Sequence, residues 1–157
     1  MLMDVSNEIS IDAESGMMLP LPLLQHHYIL TEIGQQQIVF PSRWVAEIML
    51  VKRLQILTLP CYSPILLGVT HHQGDVVPLI SSSIFLSENP GQPVRSAFTE
   101  VLHVVRLNRV TEKLAGVGIV VDRVIGNISE TQDSAPELTR RQFQLQDIPD
   151  QVWQPQR

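Results

Sequence analysis

The stretch that most constrains the fold runs from Ile65 to Ser82, Ile-Leu-Leu-Gly-Val-Thr-His-His-Gln-Gly-Asp-Val-Val-Pro-Leu-Ile-Ser-Ser. Two short apolar runs, Ile65 to Val69 and Val76 to Ile80, flank a polar segment ending in Gly74-Asp75, the signature of two strands joined by a reversal. Each run is too short and too β-branched for a helix of ordinary length. Gly68 lies inside the first run, where a missing side chain marks a bulge or a close backbone approach. Pro78 lies inside the second and removes a ladder donor. The expectation is that Val76 to Ile80 sits at an edge or beside a bulge, with Val76 or Val77 partly exposed.

The flanking sequence continues in the same short-strand idiom. Tyr28 to Ile33 alternates, Gly34 turns the chain, and Gln36 to Phe40 returns as the second arm of a hairpin. Pro41 stops that strand, Ser42 is a candidate N-cap, and Trp44, Val45, Ile48 and Met49 recur at helical spacing, so a short helix is predicted over Ser42 to Met49. Val51 to Leu59 reads as irregular and extended, closed by Leu59-Pro60 and Ser63-Pro64. Ser81 to Ser83 can cap a second short helix through Leu86. Ser87 to Ala97, with Pro90, Gly91 and Pro93, is the best internal loop. Phe98 to Leu107 and Leu114 to Val121 form a further hairpin, interrupted by Asp122-Arg123.

Composition bounds the function classes. The chain has 157 residues, 44% hydrophobic and 17% charged, which suits one folded domain or two small subdomains sharing a core. A formal net charge of −5 provides no global attraction to phosphate backbones or anionic lipid, so neither nucleic acid nor membrane insertion is expected. No basic secretory start precedes Asp4, Glu8, Asp12 and Glu14, and the apolar run Met17 to Leu24 is broken by Pro20 and Pro22. The expected location is the cytoplasm. The single cysteine, Cys61, reads as a small, partly buried apolar residue.

Motifs of catalysis do not assemble. His26-His27, His71-His72, His103 and Asp75 invite a metal reading, but adjacent residues on an extended chain point to opposite faces, and no ligand spacing of known zinc sites occurs. The serines near His71-His72 lack a nucleophile elbow, and Gly116-x-Gly118 precedes no helix. No enzyme, cofactor or metal is expected. Asp122 has two readings: a turn-stabilising acceptor of backbone hydrogen bonds, or part of a groove.

Leu67-Gly68-Val69, His71-His72-Gln73-Gly74 and Val77-Pro78-Leu79-Ile80-Ser81 resemble the CheW-like domain of bacterial chemotaxis coupling proteins. That family carries a Leu-Gly-Val strand end, an Asn-Leu-Arg-Gly turn and a Val-Pro-Val-Val-Asp strand. Val121-Asp122 match its later Val-Asp, while His71, His72 and Gln73 depart from its turn. The resemblance implies an all-β fold of two small SH3-like five-stranded barrels sharing a core, with few short helices. The second barrel is expected to be incomplete: either it is open, or its missing edge is filled by the N-terminal tail, the C-terminal tail or another molecule. The expected division is a mobile acidic tail over 1–25, the CheW-like domain over 26–128, and a C-terminal segment over 129–157.

The same resemblance implies a non-catalytic adaptor that links a methyl-accepting-type chemoreceptor to the regulatory domain of a CheA-type histidine kinase. The expected partner-binding residues are Gly68, Val69, His71, His72, Gln73, Gly74, Val76, Val77, Pro78, Val121, Asp122 and Arg123. Self-association through an open barrel edge is a further expectation. The alternative is a stand-alone module that competes for a kinase or motility-apparatus surface without coupling to a receptor.

Overall fold

The computed structural model describes residues 26–86, 99–130 and 140–156. The expected N-terminal tail and the loop after Leu86 lie outside those residues. By packing, the chain divides into a large unit, 28–128 with 135–157, and a small one, 1–27 with 129–134. Within the small unit, the Ser129 hydroxyl is 3.1 Å from His27 Nδ1.

Nine strands are described: β1 His26–Ile33, β2 Gln36–Pro41, β3 Val45–Lys52, β4 Leu66–His72, β5 Asp75–Ile80, β6 Val101–Leu107, β7 Gly118–Val121, β8 Arg123–Glu130 and β9 Arg140–Gln142. They form a five-stranded sheet in the order β3-β6-β7-β5-β4 and a four-stranded sheet in the order β9-β2-β1-β8. The mainly β fold expected from the period-two runs is therefore observed, as two sheets that form barrel-like halves, the second with four strands among the described residues.

The hairpins β1–β2 and β4–β5 fall where turn chemistry places them, and β6 pairs antiparallel with β7. Two pairings are parallel: β5 with β7, over Leu79↔Gly118 and Ile80↔Ile119, and β9 with β2, over Arg140↔Gln37 to Gln142↔Val39. Ser81 caps a 3-10 helix over Ser82–Phe85, its hydroxyl accepting from the Ser83 N–H at 3.1 Å.

The helix predicted over Ser42 to Met49 is not formed. Only Ser42–Trp44 makes a 3-10 turn, and Val45–Lys52 is strand β3, paired with β6 from Val45↔Leu107 to Lys52↔Val101. Met49 and Val51 point inward at 3% exposure each, while Ile48 and Leu50 point outward. The spacing of four apolar residues fits either period, and the β6 partner decides for the strand. After Lys52 the predicted irregular stretch contains a 3-10 turn, Arg53–Gln55, and a bridge from Leu57 to Val69. The strand expected from Leu114 begins only at Gly118, because Arg109–Leu114 coils as 3-10 helix. Cys61 is exposed at φ 69°, not half-buried.

Alternation distributes the apolar side chains among three clusters. Met49, Val51, Val77, Leu79, Leu102, Val104 and Val120 fill the five-stranded half. Tyr28, Leu30 and Val39, with Ile128 against them, fill the four-stranded half. A shared core between the sheets takes Ile33, Ile38 and Phe40 from one and Leu66, Ile80, Val105, Leu107, Ile119 and Val121 from the other. The C-terminal segment enters this shared core through Phe143, Ile148 and Val152. Phe143 has no exposed surface and meets Phe40 at 5.0 Å between ring centroids, with Trp44 and Phe85 each at 6.2 Å.

Candidate functional site

The central hairpin turns through Gln73 and Gly74, at φ 50° and 86°, with His72 paired to Asp75 on either side. Two central residues with positive φ match the twist of the flanking strands, as a two-residue hairpin requires. Gly74 takes this conformation without strain, and Gln73 stands exposed at the tip. Gly68, at φ 147°, has a different reason. A Cβ there would stand 2.3 Å from the Leu57 carbonyl oxygen, where Leu57 and Val69 exchange backbone hydrogen bonds of 2.8 and 2.9 Å. The close approach expected of Gly68 is thus the point where the segment after β3 lies down on β4, with the β4 bulge between Leu66 and Gly68 beside it.

Around this turn the fold assembles a charged network that sequence reading missed. Glu47 on β3 is 2.9 Å from His72 Nε2 through Oε1, and its Oε2 accepts from Arg106 Nη1 at 3.1 Å. Arg106 Nη2 reaches Asp75 Oδ2 at 3.2 Å, and its Nε donates to the Gly116 carbonyl at 3.4 Å. The Arg106 side chain is only 14% exposed. Partial burial pushes the Glu47 carboxyl up, but the hydrogen bonds from His72 and Arg106, with their charges, outweigh it and hold the group below its ordinary value. Since β3 and β4 are the two outer strands of the five-stranded sheet, the Glu47–His72 contact closes its seam. A strand reading of Val45 to Lys52 would have found Glu47, since it shares the inward parity of Met49 and Val51.

The residues expected to bind partners do not form one site. His71, Gln73, Gly74 and Val76 are exposed, and His71 pairs with Val76 across the hairpin. Val69 and Pro78 are half-buried. Val76 is 56% exposed, whereas Val77 has no exposed surface and belongs to the five-stranded core. The expected edge character is partial: β5 lies between β4 and β7, but it meets β7 only through Leu79 and Ile80, which leaves the Pro78 side without a ladder partner among the described residues.

Val121 is buried at 1% exposure, and Asp122 is tied to the β1–β2 turn. Asp122 Oδ2 accepts from the Gly34 N–H at 2.7 Å, and the Asp122 N–H donates to the Glu32 carbonyl at 3.0 Å. Arg123 pairs with Glu32 at 3.1 Å. These bonds match the backbone-accepting reading of Asp122. Because β7 runs parallel to β5 and pairs with its last residues, Asp122 lies beyond the Ile80 end. The Gln73 turn lies at the opposite end, beyond Asp75, which is itself ~16 Å from Ile80 along the strand.

A third surface had no place in the expected set. Ile48 and Leu50 on β3 are 41% and 67% exposed, Val101 on the paired β6 is 42% exposed, and Leu54 in the following turn is 97% exposed. Leu50 lies opposite His103 and Lys52 opposite Val101, so these apolar groups share the outer face of an edge strand. Among the described residues no three His, Cys, Asp or Glu side chains lie close enough to hold a metal ion. No helix there is long and apolar enough to cross a membrane.

Comparisons with known proteins give the fold its relatives. No curated protein matches the chain. Among solved structures, the scaffolding protein TtCheW from Thermoanaerobacter tengcongensis superposes with a TM-score of 0.54 at 16% identity, over 82% of this chain and 76% of that one. The family described as CheW-like domain matches residues 27–148, from the start of β1 through the C-terminal segment that supplies Phe143 and Ile148. On that match, the chain belongs to the CheW-like domain family.

Proposed function

We propose that this protein is a non-catalytic coupling module of chemotaxis-type signalling, joining a chemoreceptor to the regulatory domain of a CheA-type histidine kinase. Family membership supports the class, and one observation carries the kinase contact: the exposed apolar row of Ile48, Leu50, Leu54 and Val101 on the outer face of the β3–β6 pair and the turn after β3. An apolar patch on an edge strand of an otherwise acidic protein is the kind of surface that a partner covers. The contact expected at Val77 moves to this row, since Val77 is interior.

The test is calorimetric binding of a CheA-type regulatory domain to the full chain and to Leu50→Asp. Leu50 sits two-thirds exposed, so the substitution leaves the melting temperature unchanged. A carboxylate buried at the interface weakens binding by at least ~100-fold, about 2.7 kcal/mol. Equal affinity of the two proteins removes β3 from the interface.

The turn favours the alternative reading in one respect. His72 is held by Glu47 and Asp75 by Arg106, so the polar groups at the tip are largely spent inside the module. Gln73 replaces the family's Arg and loses the charge and forked geometry of guanidinium. A module that regulates a kinase surface without gripping a receptor tip would look the same here. Binding of a receptor tip that Gln73→Ala abolishes speaks for coupling; kinase binding with no receptor binding speaks for the stand-alone regulator.

A further inference from the structure

The two sheets follow one plan. In the five-stranded sheet β3 and β7 flank β6, β7 pairs parallel with β5, and β4 pairs antiparallel on the far side of β5. In the four-stranded sheet β8 and β2 flank β1, and β2 pairs parallel with β9. Among the described residues the counterpart of β4 is missing and no strand lies against the outer edge of β9.

The backbone at that edge is aimed outward. Phe143 donates its N–H to the Val39 carbonyl at 2.9 Å, so by the period of two Arg141 and Phe143 face β2. Arg140 and Gln142 therefore turn their N–H and C=O groups to the open side. The next outward amide, that of Gln144, is already taken by Asp147 Oδ2 at 2.8 Å, which ends the edge there. Charge distinguishes the occupants. Arg141 is neutralised by Asp147 at 2.6 Å and lies over the Phe85 ring at 5.4 Å. Arg140 is exposed and, among the described residues, its side chain donates to the neutral Gln37 Oε1 alone, at 3.3 and 3.2 Å. A second copy pairing edge to edge would set Arg140 and Arg141 of one chain against the same residues of the other, which like-charge repulsion opposes.

We infer that the outer edge of β9 accepts an extended, acidic segment of a partner protein, which adds a strand in the position that β4 holds in the other half. The backbone groups of Arg140 and Gln142 supply the ladder, and Arg140 selects a carboxylate opposite it. This surface is distinct from the apolar β3 row, and it stands or falls independently of the kinase contact proposed there.

The test uses the full ¹⁵N-labelled chain and two synthetic probes, Thr-Val-Thr-Val-Asp-Asp and Thr-Val-Thr-Val-Arg-Arg, both blocked at their ends. The acidic probe shifts the amide signals of Arg140 and Gln142 and binds at least ten-fold more tightly than the basic one. Gln142→Pro removes an outward N–H without touching the β2 ladder and weakens binding at least ten-fold. Arg140→Glu, a surface change that keeps the fold should the proline variant not, reverses the preference between the probes. Equal response to both probes, or shifts confined to other residues, overturns the inference. So does slow exchange of the Gln142 amide in the free protein: if independent of concentration, another part of this chain covers the edge; if it grows with a dimer, a second copy does.

Discussion

The five-stranded and four-stranded halves are laid out alike yet enclose very different amounts of apolar surface. Among the described residues seven buried side chains fill the first, and its seam is crossed by the bridge from Leu57, in the segment after β3, to Val69 on β4 and by the Glu47–His72 contact. Among the same residues the second encloses Tyr28, Leu30 and Val39, and no strand pairs with the outer edge of β9. Burial scales with closure, so the first half anchors the fold while the second depends on the shared core and on the C-terminal segment packed into it.

A charge placed in each interior separates the two halves most strongly. A carboxyl at Val77 must be protonated to remain inside, which costs ~4 kcal/mol at neutral pH, from ~1.4 kcal/mol per unit over ~3 units. Losing the burial of the isopropyl group adds about 1.5 kcal/mol. Against a total stability of roughly 5–15 kcal/mol, Val77→Asp leaves the protein largely unfolded in a urea titration. Val39→Asp, at 6% exposure in the smaller cluster, gives up less burial and costs roughly 2–3 kcal/mol. Equal losses would mean that the smaller half is as closed as the larger.

The next effect concerns what substitutes for missing strands. Phe143 is fully buried against Phe40, Trp44 and Phe85, and Phe143→Ala lowers stability by about 3–5 kcal/mol. A loss below ~1 kcal/mol in the same titration would show a C-terminal segment that merely rests on the surface. The prediction also marks where sequence reading stops. Arg141 to Gln146 alternates visibly, but the three residues of β9 pair with β2 across about a hundred positions, and nothing local announces a parallel partner that distant.

Legibility elsewhere follows the same rule. The hairpins β1–β2 and β4–β5 were readable because a turn residue and two alternating arms lie within a few positions of one another. The Ser81 cap was readable for the same reason. Strand β3 was not, since Trp44, Val45, Ile48 and Met49 satisfy a helical stripe, and the evidence against it lies in β6. The charged network was hidden for a related cause: Glu47 and Arg106 are neighbours only because β3 and β6 pair. Asp122 was legible in kind, as a short acceptor at a strand end, though its partner Gly34 lies far back in the chain.

The smallest effect tests whether charge holds the seam of the larger half. Glu47 has a folded pKa below its ordinary value of 4.5, so the unfolded chain takes up a proton more readily than the folded one. Its contribution is therefore fully present above pH 4.5 and is lost as pH falls through the lower, folded value. Because its side chain is 32% exposed, the contribution at neutral pH is at most about 1 kcal/mol. Glu47→Gln should accordingly be slightly less stable than the parent at pH 7 and equal to it near pH 3. Carboxyl ¹³C titration of the parent should place Glu47 below an unperturbed glutamate. A titration at or above 4.5, or a stability gap that persists at pH 3, would assign the closure of the seam to the Leu57–Val69 bridge and the packing around Gly68, not to the ion pairs.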